Sequence, residues 1–70
     1  MDEQEFLHRL SVDYNLNIEL LKDVIHDDKL FVLIKAKKQM DAIMYLRKTY
    51  LSMDLAQAKI IVDKFTEEFS

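Results

Sequence analysis

Neither glycine nor proline occurs in this chain of 70 residues, and cysteine is absent as well. Tight hairpins place Gly or Asn at positive φ, so a chain without glycine is poorly suited to a succession of two-residue β-turns. The same absence excludes the P-loop and the dinucleotide-binding fingerprint, whose phosphate cradles depend on glycine. Without cysteine there is no disulfide framework and no thiolate metal site. Long apolar runs are missing too. The longest covers residues 30–34, far short of a bilayer crossing, and the acidic start MDEQEF is not the basic opening of a signal peptide. What remains is 50% hydrophobic residues, ample for a packed core and too many for a disordered chain. A chain of 70 residues makes one domain, near the lower limit for folding without covalent staples. These absences predict a small, soluble, cytoplasmic protein built of helices with polar, capped turns.

The net charge of −3 is unevenly spread. Residues 1–28 hold eight acidic and two basic side chains, residues 29–48 one acidic and six basic, and residues 49–70 four acidic and two basic. One reading is internal complementarity, with the acidic first part lying against the basic middle. The other is a basic patch that meets an acidic partner.

Helix signals recur along the chain. Asp2 and Glu5 have capping-box spacing, and Phe6, Leu7 and Leu10 follow, which predicts a helix over roughly residues 2–13. Asp13, Asn15 and Asn17 interrupt it. Asn17 is a good N-cap for a second helix with Leu20, Leu21, Val24 and Ile25 as its apolar stripe. His26, Asp27 and Asp28 end that helix, and either aspartate can cap the next element. Residues 29–36 suit a buried strand or a short buried helix. No second strand stands elsewhere to pair with one, so a helix is expected. The alternative is an α+β fold with one strand at 29–36, paired with its own copy. Lys37 and Lys38 break the pattern. Over residues 39–51, Ala42, Ile43, Leu46 and Tyr50 form one stripe, with Met40, Met44, Arg47 and Leu51 beside it. Ser52 or Asp54 then caps a last helix, Asp54 with Gln57 at capping-box spacing, and Leu55, Ala58, Val62, Phe65 and Phe69 share one face. The expected fold is all-α, a compact bundle of four to five short helices.

The run DAIMYLRKTYLSMDLAQAKIIVD resembles the helical hairpin in the C-terminal domain of the bacterial ribosomal stalk protein. The matching residues are Ala42, Ile43, Arg47, Thr49, Leu55, Ala58, Lys59 and Val62, and FVLIKA before them looks like the strand that opens that domain. The resemblance covers about half of the chain. The family's turn is rich in glycine, whereas residues 50–54 contain none, and residues 1–28 have no counterpart. Of the basic positions with which the family grips translation factors, two fall on Gln39 and Met44, while Arg47 and Lys59 keep their charge. The resemblance implies a shared helical-hairpin unit of a kind also found in small bacterial and phage proteins, with protein docking as its role.

No residue set points to catalysis. His26 with Asp27 and Asp28 has ligand chemistry, but a histidine at a helix C-terminus followed by a cap has a simpler explanation. His8 sits among Glu5, Arg9 and Asp13 on a solvated face. Glu67 and Glu68 lie near the C-terminus with nothing to orient them for acid–base work, and no histidine is spaced to activate Ser11, Ser52 or Ser70. Tyr45 and Tyr50 within the basic segment invite a nucleic-acid reading. The last helix argues against it, because the positions expected to be exposed, Asp54, Gln57, Asp63 and Lys64, would bring acidic residues against phosphates. Met40 and Met44 stand one helical turn apart with Arg47 between them and Leu51; they are either adaptable core filler or an exposed apolar strip with a polar anchor. The expectation is a non-catalytic protein-interaction module, an adaptor, inhibitor or regulator of a bacterial or phage process. It would bind an acidic or amphipathic protein surface through Met40, Met44, Arg47, Lys37, Lys38 and Lys48. No cofactor, metal or membrane is expected. A surplus of apolar stripes on so short a chain predicts self-association. The alternative is a small dimeric DNA-binding regulator.

Overall fold

Polar side chains turned back onto their own backbone start four of the five helices. The computed structural model describes residues 2–69, and these form α1 (Glu3–Tyr14), α2 (Ile18–Val24), α3 (Asp28–Lys35), α4 (Gln39–Thr49) and α5 (Leu55–Phe69). The Glu5 amide donates to Asp2 Oδ1 at 2.8 Å. Asn17 Oδ1 accepts from the amides of Glu19 and Leu20 at 2.9 and 3.3 Å. Asp27 Oδ1 accepts from the Leu30 amide at 3.3 Å. Before α5 the box is reciprocal: Gln57 N–H donates to Asp54 Oδ1 at 2.8 Å, and Asp54 N–H donates to Gln57 Oε1 at 3.2 Å. Each such cap stabilises its helix by about 1 kcal/mol. Only α4 follows a residue, Lys38, that makes no side-chain cap.

The chain turns without glycine because few positions need one. Asn15 (φ 54°) and Lys37 (φ 61°) are the only described residues in the left-handed region. Asn15 tolerates it readily. After α3 the Lys37 amide donates to Ile34 O and the Lys38 amide to Leu33 O, both at 3.0 Å, a Schellman closure that normally takes glycine. In residues 50–54 no φ is positive, so the glycines of the stalk family have no task there.

The fold is all-α, and the segment 29–36, with its alternative reading as a strand and its likeness to the stalk domain's opening strand, is helical. A strand would set residues 30, 32 and 34 on one face. Instead Leu30 and Ile34 are buried while Val32 is 66% exposed, which is the helical period. With no strand beside it, the backbone satisfies its own hydrogen bonds.

α3, α4 and α5 pack on one another, and α1 packs on α2. At the centre Phe65 is fully buried. Its ring lies 5.6 Å from Phe6, 5.7 Å from Phe31 and 5.7 Å from Phe69, centroid to centroid. The predicted face of α5 needs correction at both ends: Leu55 is 46% and Phe69 36% exposed, whereas Ile61, absent from that stripe, is fully buried. Terminal turns have a neighbour on one side only, and the core contact is wider than a strict three–four ladder. Met53 in the turn before α5 is also buried. No described helix is long and apolar enough to cross a membrane.

Candidate docking face

α4 divides its side chains sharply. Ala42, Ile43 and Leu46 are buried against α3 and α5. Met40 and Met44 are 66% and 65% exposed, and Leu51, just past the helix, is 87% exposed. Positions 40, 44 and 47 follow the three–four spacing of one helix face, so Arg47 shares the face of the two methionines, while Leu51 stands beyond the C-cap Tyr50, whose backbone has left the helix. Arg47, Lys48, Lys37 and Lys38 are all exposed. None has a carboxylate within ion-pair distance among the described residues, where the pairs present are Glu19–Lys22 at 3.8 Å and Glu67–Lys64 at 3.6 Å. Internal complementarity between the acidic first part and the basic middle is therefore not realised through ion pairs. Both pairs are local i,i+3 contacts on one helix, worth little to stability.

The expected binding residues fall into two groups. Lys37, Lys38 and Met40 line a shallow groove with Gln39, Asp41 and Thr66, where the start of α4 meets α5. Met44, Arg47 and Lys48 lie further along α4, outside that groove, and continue the same outward face. Lys37 reaches its place through a left-handed backbone that costs a non-glycine residue about 1–3 kcal/mol.

What holds α4 at this angle is invisible in the sequence. The Tyr45 hydroxyl donates to both oxygens of Asp27 at 2.8 Å, and the Tyr50 hydroxyl donates to Asp27 Oδ2 at 2.8 Å. Asp27 thus caps α3 and at the same time anchors α4 and the turn after it. Partial burial pushes the Asp27 carboxyl up. The bonds from Tyr45, Tyr50 and the amides of Leu30 and Lys29 outweigh that effect and hold it below its ordinary value. Both tyrosines are pushed up, first by burial and then by the negative carboxylate their hydroxyls serve. The three residues are 18 and 23 positions apart, beyond any periodicity. Of the aromatic and basic residues that invited a nucleic-acid reading, the tyrosine hydroxyls turn to Asp27 while the basic side chains stay exposed.

Elsewhere the chemistry is dispersed. His8 and His26 line one groove with Leu7, Ile18 and Ile25, between α1 and α2. No group of three potential metal-ligating side chains gathers among the described residues, and both oxygens of Asp27 are engaged. The arrangement on α4 can present thioethers and a leucine to an apolar surface, with guanidinium and ammonium groups beside them for carboxylates. Comparison with known proteins finds no family model, no curated protein and no solved structure that matches this chain.

Proposed function

We propose that the protein is a non-catalytic interaction module, an adaptor, inhibitor or regulator in a bacterial or phage process, whose α4 face docks an acidic, amphipathic surface of another protein. The observation that carries this reading is the outward face of α4 with Met40, Met44 and Arg47, the last without an ion-pair partner among the described residues, and the exposed Leu51 just beyond the helix. Large apolar side chains grouped at this exposure, with cations at the edge, suit recognition better than solvation. Burying a Met or Leu stabilises by about 1.5–3 kcal/mol each. Three of them roughly offset the several kcal/mol lost in association, so affinity depends on the cations and the complex is salt-sensitive and reversible. The stalk-like hairpin supports the same face, since α4 and α5 include the segment that carries that resemblance.

The DNA-binding alternative has less support. Asp54, Asp63, Glu67 and Glu68 on and before α5 are exposed and repel phosphate. In a pull-down from cells, Met44→Asp and Arg47→Glu are each expected to abolish partner capture, while Val32→Asp, equally exposed on α3, leaves it unchanged. Capture that survives both α4 substitutions refutes the reading. A steep loss of DNA binding with rising salt would instead support the alternative.

A further inference from the structure

The charge of this molecule is divided along the chain. Residues 29–48 sum to +5, and the rest of the chain, with twelve acidic and four basic side chains, sums to −8. The basic side includes the apolar strip on α4. A second, smaller apolar surface lies between α1 and α5, where exposed Tyr14 stands beside the buried Phe6 and Leu10 in a groove whose rim carries Asp13, Glu67 and Glu68. The two cations of that rim, Arg9 and Lys64, do not balance it, because Lys64 is already held 3.6 Å from Glu67 and 5.6 Å from the centre of the Tyr14 ring. Asp13 and Glu68 have no ion-pair partner among the described residues. Next to them Phe69 stands edge-on to Phe6 at 5.4 Å and keeps 36% of its surface exposed.

We propose that the α4 strip of one copy seats in the α1–α5 groove of a second copy, a head-to-tail contact. The inference rests on reading α4 as a docking face and names an occupant for it. Thioethers of Met40 and Met44 meet an aromatic floor, a favourable sulfur–ring contact. Arg47 and Lys48 meet Asp13 and Glu68, so the charges match in sign. A symmetric α4–α4 dimer is disfavoured because it sets Lys37, Lys38, Arg47 and Lys48 against their own copies. The groove between α1 and α2 is a poorer acceptor, since its rim carries the single carboxylate of Glu3 where the α1–α5 rim carries three. Strip and groove share no residue, so a pair keeps one free strip and one free groove and the contact can propagate.

Sedimentation of the full chain at about 10 mM and about 1 M salt, where charges are felt over about 30 and 3 Å, tests the contact. The wild type is expected to exceed the monomer mass at low salt, to grow with concentration, and to fall back towards monomer at high salt. A strip variant (Met44→Asp with Arg47→Glu) and a groove variant (Asp13→Lys with Glu68→Lys) are each expected to stay monomeric alone. Mixed one to one, they associate, because the pair retains one intact strip and one intact groove. All four positions are exposed. The single changes Arg47→Glu and Glu68→Lys repeat the mixing experiment with less perturbation of the fold. A wild type that stays monomeric at both salts, a variant that still assembles alone, or a mixture that remains monomeric overturns the head-to-tail contact. A monomeric wild type whose capture of another protein is lost on Met44→Asp overturns it while leaving the docking role of α4 intact.

Discussion

Replacing Asp27 by alanine tests the network that positions α4. The substitution removes three things at once: the N-cap of α3 and the carboxylate acceptors of Tyr45 and Tyr50. Loss of the cap costs about 1 kcal/mol. A hydrogen bond to a charged group contributes roughly 1.5–3 kcal/mol when buried, but Asp27 and both tyrosines are only half-buried and the freed hydroxyls can turn to water. Discounting for that, Asp27→Ala is expected to cost about 2–4 kcal/mol, a large share of the stability of a domain this small. Asp27→Asn keeps a competent cap and one acceptor, and about 1 kcal/mol is expected to be lost. Urea unfolding followed by circular dichroism gives both values, provided the slope with denaturant is unchanged. The pH dependence carries the sign. Asp27 titrates below its unfolded value of 3.8, so its contribution is present above that pH and is lost as the solution is acidified through the lower folded value. Tyr45 and Tyr50 titrate above 10.0, so theirs is complete below that pH and lost on going well above it. The gap between wild type and Asp27→Asn should therefore be widest near neutrality and narrow at both extremes. A cost below about 0.5 kcal/mol for Asp27→Ala, the size of an ordinary surface change, would refute the network as a structural element.

Further outcomes follow from the packing. Phe65→Ala empties the centre of the aromatic cluster and is expected to cost about 3–5 kcal/mol, read as a large fall in melting temperature. Met44→Asp, on the outward face of the same bundle, is expected to change stability by no more than about 0.5 kcal/mol, and a mutant that unfolds would show that this side chain belongs to the core. Lys37→Gly relieves a left-handed backbone and is expected to raise stability by roughly 0.5–1 kcal/mol in urea unfolding, against the usual direction for a glycine substitution.

The helices were legible because their signals are local. Asp2, Asn17, Asp27 and Asp54 are caps that a reader finds within four residues of what they cap. Counting a second stripe beside Ala42, Ile43 and Leu46 left Met40 and Met44 as either core filler or an outward strip, and their exposure in the fold decides for the second. Segment 29–36 was ambiguous because a run of five apolar residues has no periodicity, and only the lack of a partner strand decided it. The burial of Met53 and the exposure of Leu55 depend on how the 50–54 turn swings α5 onto α4, which no spacing encodes. Asp27 was one of two candidate caps with Asp28, and its tyrosine partners were not legible, since they arrive from another helix and from the turn beyond it.

The way the helices are grouped governs how the molecule opens. α3, α4 and α5 close on one another, whereas α1 packs chiefly on α2 and reaches the rest through the Phe6 ring against Phe65 and Phe69. Amide hydrogen exchange should therefore proceed in two tiers, with α1 and the start of α2 released by a partial opening and α4 and α5 only by global unfolding. The end of α2 stays tethered, because the Asp27 corner just beyond it is tied to Tyr45 and Tyr50. Lifting α1 strips one ring from the aromatic cluster and unmakes the groove that α1 forms with α5, so a single low-energy motion removes a binding surface and uncovers Phe65 in the same step.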